Sequence, residues 1–234
     1  MTNQFEDSKS NDKILFVVAH PDDETIGAGG TIARFAKLGK SIFAISLTNG
    51  IGARGWGKNE ALRRKEDSLQ AASLLGFTWV YQGDFPDNSL DTVPFLDIVK
   101  IIESIKVEIN PEMVFTHSGA DLNIDHRIVA AAVLTAFRPT PGSKVSQILS
   151  MEIPSATDFG QGGFFGAFDP NYLIEITNTW QDKVGALLCY KHEIYPSPHA
   201  RSLSGIEALS TLRGHQVGVD RAEAFNIVRK IERA

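Results

Sequence analysis

Short apolar runs alternate with amphipathic stretches along the first 137 residues of the chain. The runs have the length and composition of strands that are buried on both faces of a sheet, and they lie at 13–20, 41–47, 79–81 and 113–117. Stretches with apolar residues at helical spacing follow them, at 24–38, 60–75, 94–107 and 127–137. Strands and helices that alternate in this way predict right-handed crossovers and a three-layer, Rossmann-like α/β fold with a mostly parallel sheet.

The last third of the chain is less regular. Its patterns predict strands at 147–153 and 172–176, helices at 180–192 and 203–214, and a glycine-rich loop at 159–168. We expect this irregular third to complete the pocket of the protein. Residues 1–12 are polar and predict a disordered leader, which leaves residues 13–234 as a single domain.

Composition narrows the class of protein. The 234 residues are 43% hydrophobic and 22% charged, which is typical of a globular protein and excludes a collagen-like or coiled-coil chain. A net charge of −5 argues against nucleic acid or an anionic membrane as partner. The single cysteine cannot form an internal disulfide, and no apolar run is long enough to span a bilayer or serve as a signal peptide. We therefore expect a cytoplasmic protein without an integral membrane segment. The sequence is compatible with a monomer or a homo-oligomer.

Histidines and carboxylates follow two of the predicted strands. They are His20, Asp22 and Asp23 after the first strand, and Asp125 and His126 after the fourth. Because ligands bind at the carboxyl ends of parallel strands, we expect these side chains to converge at one edge of the sheet. Two histidines and one carboxylate with an open position for water are typical of a catalytic zinc site. The favoured set is His20, Asp23 and His126, with Asp22 directed toward a metal-bound water.

Two other interpretations of these residues are weaker. The acids at 22–24 are also typical of a helix start, where they complement the helix dipole. The glycines at 27–30 follow a strand, but Ile32 stands where the dinucleotide fingerprint needs its last glycine. Because histidine and carboxylate occur together at two matching strand ends, the metal interpretation is favoured.

Two short motifs carry a resemblance to a known family. The sequence AHPDDE at 19–24 resembles the signature of the LmbE-like, or PIG-L-type, zinc-dependent N-deacetylases. The sequence NIDH at 123–126 stands where members of that family typically have HPDH. The resemblance is good over residues 13–137 and weaker over 201–225. It implies zinc as the cofactor, although iron(II) or another divalent ion suits the same ligands.

The resemblance also implies a role for individual residues. His20, Asp23 and His126 match the zinc ligands, and Asp22 matches the general base. Asp125 matches an acid that orients a histidine partner.

Asn123 is the departure from the family pattern, because many members have a second histidine there. Asparagine can donate a hydrogen bond to the oxyanion but cannot deliver a proton. The general acid that protonates the leaving amine could therefore be His117, His199 or Asp22. Asn123 can also act only as the cap of the following helix.

Three residues are candidates for binding the substrate. Arg54 and Arg64 could bind hydroxyl or phosphate groups, and His199 lies in a proline-rich segment that favours exposure. For each arginine, an ordinary solvated surface position explains the sequence equally well.

The implied activity is hydrolysis of the acetamide of a small N-acetylated sugar, of the glycan-precursor, sugar-lipid or sugar-nucleotide type. One alternative is a related amidase that acts on another acyl group or on a thiol conjugate. A second is a sugar- or nucleotide-binding protein with reduced or lost turnover, an interpretation that the departure at Asn123 motivates.

Overall fold

The computed structural model describes residues 12–52, 58–160 and 162–232. Within them, a single sheet contains the strands β1 (Lys13–Val18), β2 (Ser41–Thr48), β3 (Thr78–Phe85), β4 (Met113–His117), β5 (Gln147–Met151), β6 (Tyr172–Glu175) and β7 (Ala222–Lys230). Their order is β3-β2-β1-β4-β5-β7-β6. The first five are parallel, whereas β7 is antiparallel to both β5 and β6. This confirms the prediction of an α/β fold with a mostly parallel sheet.

Helices cover the two faces of the sheet. They are α1 (Asp23–Lys37), α2 (Lys58–Leu75), α3 (Phe95–Ile109), α4 (Ile124–Ala136), α5 (Gly162–Phe165), α6 (Trp180–Cys189) and α7 (Leu203–His215), with 3-10 turns at Leu90–Thr92 and Thr177–Thr179. One apolar core joins the sheet to α1, α2, α6 and α7, and a second joins it to α3 and α4. Among the described helices, none combines the length and the apolar character needed to cross a bilayer.

The strand β7 is the main element that the sequence patterns did not predict. It ends at Lys230 and carries Glu223 in its first half, so it lacks the continuous apolar run of the parallel strands. Glu223 is nevertheless buried, because Lys183 of α6 contacts it at 2.6 Å. The glycine-rich segment predicted as a loop contains the short helix α5. Residues 1–11 of the predicted leader lie outside the described residues.

The helix α1 is broken one turn after it begins. Ala28 has φ −144° and ψ 16°, which are not helical angles. The side chain of Glu223 accepts hydrogen bonds from the amides of Gly30 and Thr31, at 3.0 and 2.7 Å, and so caps the second part of the helix. The break separates the first turn of α1, which begins at Asp23, from the rest of the helix.

Candidate metal centre and active site

Two turns at the carboxyl edge of the sheet deliver the candidate site. The first turn joins β1 to α1 and carries His20, Asp22 and Asp23. The second joins β4 to α4 and carries Asp125 and His126 in the first turn of that helix. Because β1 and β4 are adjacent parallel strands, both turns open at the same edge. All five of these polar residues are buried.

Three of the side chains point one atom each toward a common centre. The Nδ1 of His20 lies 3.2 Å from Oδ2 of Asp23 and 3.3 Å from Nε2 of His126, and the last two atoms are 3.4 Å apart. Bonds of about 2.0–2.1 Å to a tetrahedral ion place ligand atoms about 3.3–3.4 Å apart. The three donors are therefore already spaced as zinc requires, and their chemistry fits it. They form the only such group of two histidines and one acid that the described residues contain.

The ring of His20 is oriented by carboxylates on its far side. Its Nε2 lies 3.1 Å from Oδ1 of Asp87 and 3.2 Å from Oδ2 of Asp125. Asp125 is itself fixed, because it accepts hydrogen bonds from the amides of Asn88 and Leu90 at 2.7 and 3.0 Å. A proton on Nε2 leaves the lone pair of Nδ1 free for a metal.

His126 is oriented in the same manner by another acid. Its Nδ1 lies 3.0 Å from Oδ2 of Asp121. Asp121 also accepts hydrogen bonds from the amide of Asn123 and the hydroxyl of Thr157, both at 2.8 Å. Carboxylates that hold the outer nitrogen of a ligating histidine are the usual second shell of a metal site.

A second group of possible ligands shares His20. It consists of His20, Asp87 and Asp125, whose donor atoms also lie within 4.8 Å of one another. The oxygens of Asp125 already accept two backbone hydrogen bonds. The group contains one imidazole, so it suits zinc less well than the first group, in which each histidine has a supporting acid. We therefore regard it as the outer shell of the first.

The acids and histidines of the site shift each other's pKa values. Burial lowers the pKa of His126, but Asp23 and Asp121 outweigh burial and raise it to about 9. Burial likewise disfavours the charged form of His20, and hydrogen bonds with Asp125, Asp23 and Asp87 raise its pKa well above the usual value. Burial would raise the pKa of Asp23, but His126 holds it well below its usual range. A metal that binds these histidines must displace protons.

His117 lies behind the centre. Its ring stacks on that of His126, with 3.8 Å between ring centroids, and its Nε2 accepts a hydrogen bond from the amide of Ala19 at 2.8 Å. Burial and the charge of His126 lower the pKa of His117 to about 3. Because its Nε2 accepts a hydrogen bond from a backbone amide, that nitrogen carries no proton and the His117 ring is neutral. His117 is therefore a poor candidate for the general acid.

Asp22 lines the same cavity as the three candidate metal donors. Its Oδ2 is buried, lies 3.2 Å from Nη2 of Arg64 and, among the described residues, accepts no hydrogen bond of good geometry. Burial raises the pKa of Asp22, the Arg64 charge opposes it, and the result is about 6. A buried carboxylate oxygen that lacks a hydrogen bond is ready to accept a proton from water.

Arg64 differs from the free substrate-binding arginine that the sequence suggests. It is 6% exposed, and its guanidinium donates to the carboxylate of Glu193 and, at 2.9 Å, to the carbonyl of Pro21. Arg64 therefore forms ion pairs with both Glu193 and Asp22. Arg64 lines the cavity, but these contacts favour a role in placing Asp22.

A cavity of about 80 Å³ opens over the centre. It is lined by the residues His20, Asp22, Asp23, Gly50, Arg64, Asp87, Asn88, Asn123, His126, Glu193 and Arg201. The C-terminal third thus contributes two of the lining side chains, as the sequence predicts in outline.

The side chain of Asn123 makes two hydrogen bonds, and the residue lines the cavity. Its Oδ1 accepts from the amide of Asp125 at 2.9 Å, which makes it the N-cap of α4. Its Nδ2 donates to Oδ1 of Asn88 at 3.0 Å. The capping role is therefore present in the structure, and a donor group stands beside the cavity as well.

One predicted substrate-binding residue, His199, is not brought to this cavity. His199 is absent from its lining, and its ring stacks on Tyr195 with 4.3 Å between centroids. Arg54 lies outside the described residues.

Sequence reasoning assigned no site role to five residues of this cavity. They are Gly50, Asp87, Asn88, Glu193 and Arg201. Asp87 follows the third strand, and its position at a strand end was a usable signal. Glu193 and Arg201 come from loops after α6, and no local pattern marks them.

A family model and individual relatives match this chain. The model described as PIG-L: GlcNAc-PI de-N-acetylase matches residues 15–137. A diacetylchitobiose deacetylase of Thermococcus kodakarensis is 27% identical over 191 residues, which are 77% of this chain and 70% of that protein. An uncharacterized deacetylase of Escherichia coli, YaiS, is 33% identical over 148 residues, which are 61% of this chain and 74% of that protein.

A solved structure shares the fold. It is the N,N'-diacetylchitobiose deacetylase of Pyrococcus horikoshii, with a TM-score of 0.76 and 22% identity, and the match covers 94% of this chain and 85% of that one. At this identity, the likeness shows a common fold.

Proposed function

The chain belongs to the PIG-L family of GlcNAc-PI de-N-acetylases, and from that premise we propose that it is a metal-dependent hydrolase that removes the acetyl group from an N-acetylated sugar. The observation that carries the proposal is the triangle of His20, Asp23 and His126, with Asp22 beside it. Relatives named as deacetylases of acetylated sugars support the substrate class.

His20, Asp23 and His126 are the residues that would hold the metal, which we propose to be zinc. Bound there, a divalent ion supplies a Lewis acid for the amide carbonyl and lowers the pKa of a water. The two histidines are held by outer-shell acids, and Asp23 accepts a hydrogen bond from the amide of His20 at 3.0 Å, so little rearrangement is needed when an ion binds. Iron(II) suits the same donors.

Asp22 is the residue that moves protons in this proposal. Its carboxylate accepts a proton from the attacking water, whose oxygen joins the carbonyl carbon of the acetamide. When the C–N bond breaks, the same proton passes to the leaving amine, and the products are acetate and an amino sugar. A pKa of about 6 suits both transfers at neutral pH. His117 is neutral and hydrogen-bonded elsewhere, and His199 is outside the cavity lining, which leaves Asp22 as the favoured acid.

The size of the cavity favours a small acyl group. A space of about 80 Å³ holds a few water-sized groups and therefore suits an acetyl group better than a long acyl chain. A larger cleft of about 370 Å³ lies at the ends of β2 and β3, with Pro21, Asn49 and Lys65 in its lining. Since these residues are chain neighbours of cavity residues, we place the sugar ring there.

The spacing of the three candidate donors and the position of Asp22 support the hydrolase over the binding-protein alternative. The cytoplasmic location stays a prediction.

The decisive experiment is turnover of a panel of N-acetylated sugars and their nucleotide and lipid conjugates. Free amine and acetate are measured with the zinc-loaded enzyme, after chelation and after addition of iron(II). We expect acetate and amine in equal amounts, lost on chelation. Asp22→Asn, which keeps the shape of the side chain, should lose about 10²–10⁴-fold in kcat and keep its metal. Tight sugar binding without acetate would support the binding-protein alternative instead.

A further inference from the structure

We propose that Tyr190 is a positioning residue, which acts through Glu24 on the peptide between Pro21 and Asp22. By holding that peptide, Tyr190 aims the Asp22 carboxylate at the reacting water. The inference rests on the proposed function of Asp22 as the base.

The peptide needs to be held because Asp22 has an unusual backbone conformation. Its φ is 137° with ψ −29°, in a region that side-chain-bearing residues rarely adopt. Such a conformation persists only where the surroundings impose it, and it is typical of functional sites. A relaxed φ would require the Pro21–Asp22 peptide to rotate and would redirect the side chain of Asp22.

Hydrogen bonds at both ends prevent this rotation. The carbonyl of Pro21 accepts from Nη2 of Arg64 at 2.9 Å. The amide of Asp22 donates to Oε2 of Glu24 at 3.0 Å. Because φ of Asp22 measures the orientation of this peptide, a rotation breaks both bonds together.

Glu24 can act as a fixed acceptor only because its other oxygen is held as well. Its Oε1 accepts from the hydroxyl of Tyr190 at 3.0 Å and from the hydroxyl of Thr25 at 2.7 Å. Glu24 is fully buried and Tyr190 is 1% exposed. Thr25 is the next residue along the chain, so among the described residues Tyr190 supplies the hydrogen bond that ties the Glu24 side chain to another element.

Tyr190 has no direct access to the chemistry. It follows the end of α6, packs within the apolar core and is absent from the lining of the cavity over the centre. Tyr190 and Glu24 are 166 positions apart in the sequence. Tyr190 also lines a small cavity with Arg64 and Glu193, so its ring contributes to the packing around Arg64. Removing the hydroxyl while the ring stays changes first the hydrogen bond with Glu24, and through it the peptide that Glu24 holds.

The experiment removes the hydroxyl and keeps the ring. Tyr190→Phe is compared with Tyr172→Phe, which makes the same change in β6 at the edge of the sheet. We expect Tyr190→Phe to lower kcat about 10-fold, as loss of a buried hydrogen bond typically does, with KM and metal content unchanged. The control should match the wild type.

A double-mutant cycle separates positioning from general destabilisation. In the Asp22→Asn background, Tyr190→Phe should cause no further loss of kcat, because the residue it positions has already lost its function. An equal loss in both backgrounds, or a loss of metal in Tyr190→Phe, would overturn the proposal.

Hydrogen exchange of the Asp22 amide tests the same proposal without turnover. We expect this amide to exchange at least about 10-fold faster in Tyr190→Phe than in the wild type, and unchanged in Tyr172→Phe. An unchanged rate in Tyr190→Phe contradicts positioning by Tyr190 whether or not the deacetylase proposal holds. If exchange speeds up while no panel substrate is hydrolysed, the positioning stands and the proposed function fails.

Discussion

The two turns that carry the metal donors are built in different ways. The turn after β4 ends in an ordinary N-cap, where Asn123 has φ −67° and accepts from the amide of Asp125. The turn after β1 holds Asp22 at φ 137°, and its bonds reach Arg64 in α2 and, through Glu24, Tyr190 after α6. The backbone of the turn after β4 follows local preferences, although its acids also accept hydrogen bonds from Asn88, Leu90 and Thr157. The backbone of the turn after β1 is imposed by distant parts of the chain.

This difference matches what each turn carries. The turn after β4 supplies one proposed metal donor, His126, together with Asp121 and Asp125, which support His126 and His20. The turn after β1 supplies the other two proposed donors and the proposed base, whose carboxylate has to face water while it lies beside a metal ligand. Backbone strain of this kind is found where a function requires a geometry that local preferences do not give.

Removing a metal donor from either turn should have the largest effect on zinc affinity, because we propose that the two turns bind the same ion. His126→Ala should weaken zinc affinity more than about 100-fold, which exceeds the usual effect of an outer-shell change. Asp121→Asn keeps His126 but disturbs its support and should weaken affinity about 10–100-fold. Competition with a chelator measures both, and tight zinc binding by His126→Ala would remove it from the ligand set.

The pH dependence of stability should distinguish the metal-free site from the loaded one. The pKa of His126 is about 9 in the folded protein, against an ordinary value near 6.5. The folded state thus binds a proton more tightly, so this contribution to stability is present below about pH 6.5 and is lost as the pH rises through 9. Metal binding needs the neutral ring and strengthens over the same range.

We therefore expect the difference in Tm between zinc-loaded and metal-free protein to widen by several degrees from pH 6.5 to 9. Thermal scans at both ends of that range measure it. In His126→Ala the metal-free protein should lose less stability over the range. A difference in Tm that narrows from pH 6.5 to 9 would contradict the assignment of a raised pKa to His126 as a source of stability in the metal-free protein.

Much of the locally determined structure was predictable from the sequence. The buried strand at 113–117 has its predicted ends, and the motif at 19–24 lies at the end of β1 as expected. Asn123 was identified as a cap because an N-cap depends on residues next to one another.

What the sequence could not show depends on contacts between distant positions. The bond between Tyr190 and Glu24 spans 166 positions, and the one between Arg64 and Glu193 spans 129. β7 was missed since its buried acid is stabilised by Lys183 of another element. Pattern and propensity describe neighbours along the chain, so they carry no information on such pairs.

The strain at Asp22 should appear in stability once its side chain is removed. Glycine adopts a φ of 137° without strain, whereas alanine does not. We expect Asp22→Gly to be more stable than Asp22→Ala by about 1 kcal/mol in denaturant titrations, the lower end of what such strain costs. In the exposed helical position Ala131, glycine should instead be about 1 kcal/mol less stable than alanine. Equal stability of the two Asp22 variants would show that the turn relaxes without cost.

The last comparison concerns Asn123, where the cap and the hydrogen-bond donor make different predictions. Asn123→Ala removes both functions and should cost about 1 kcal/mol of stability together with some turnover. Asn123→Asp keeps the cap, because a carboxylate accepts from the Asp125 amide, but it cannot donate to an oxyanion.

The aspartate variant therefore decides between the two roles of Asn123. If the amide stabilises the intermediate, Asn123→Asp should lose about 10²–10³-fold in kcat with normal Tm and metal content. Asn123→His, which introduces a titrating donor, should stay active and gain a limb in the pH profile near a histidine pKa. If Asn123→Asp keeps wild-type turnover, Asn123 is a cap alone. The second turn would then contribute structure and one ligand, and proton transfer would rest on the first.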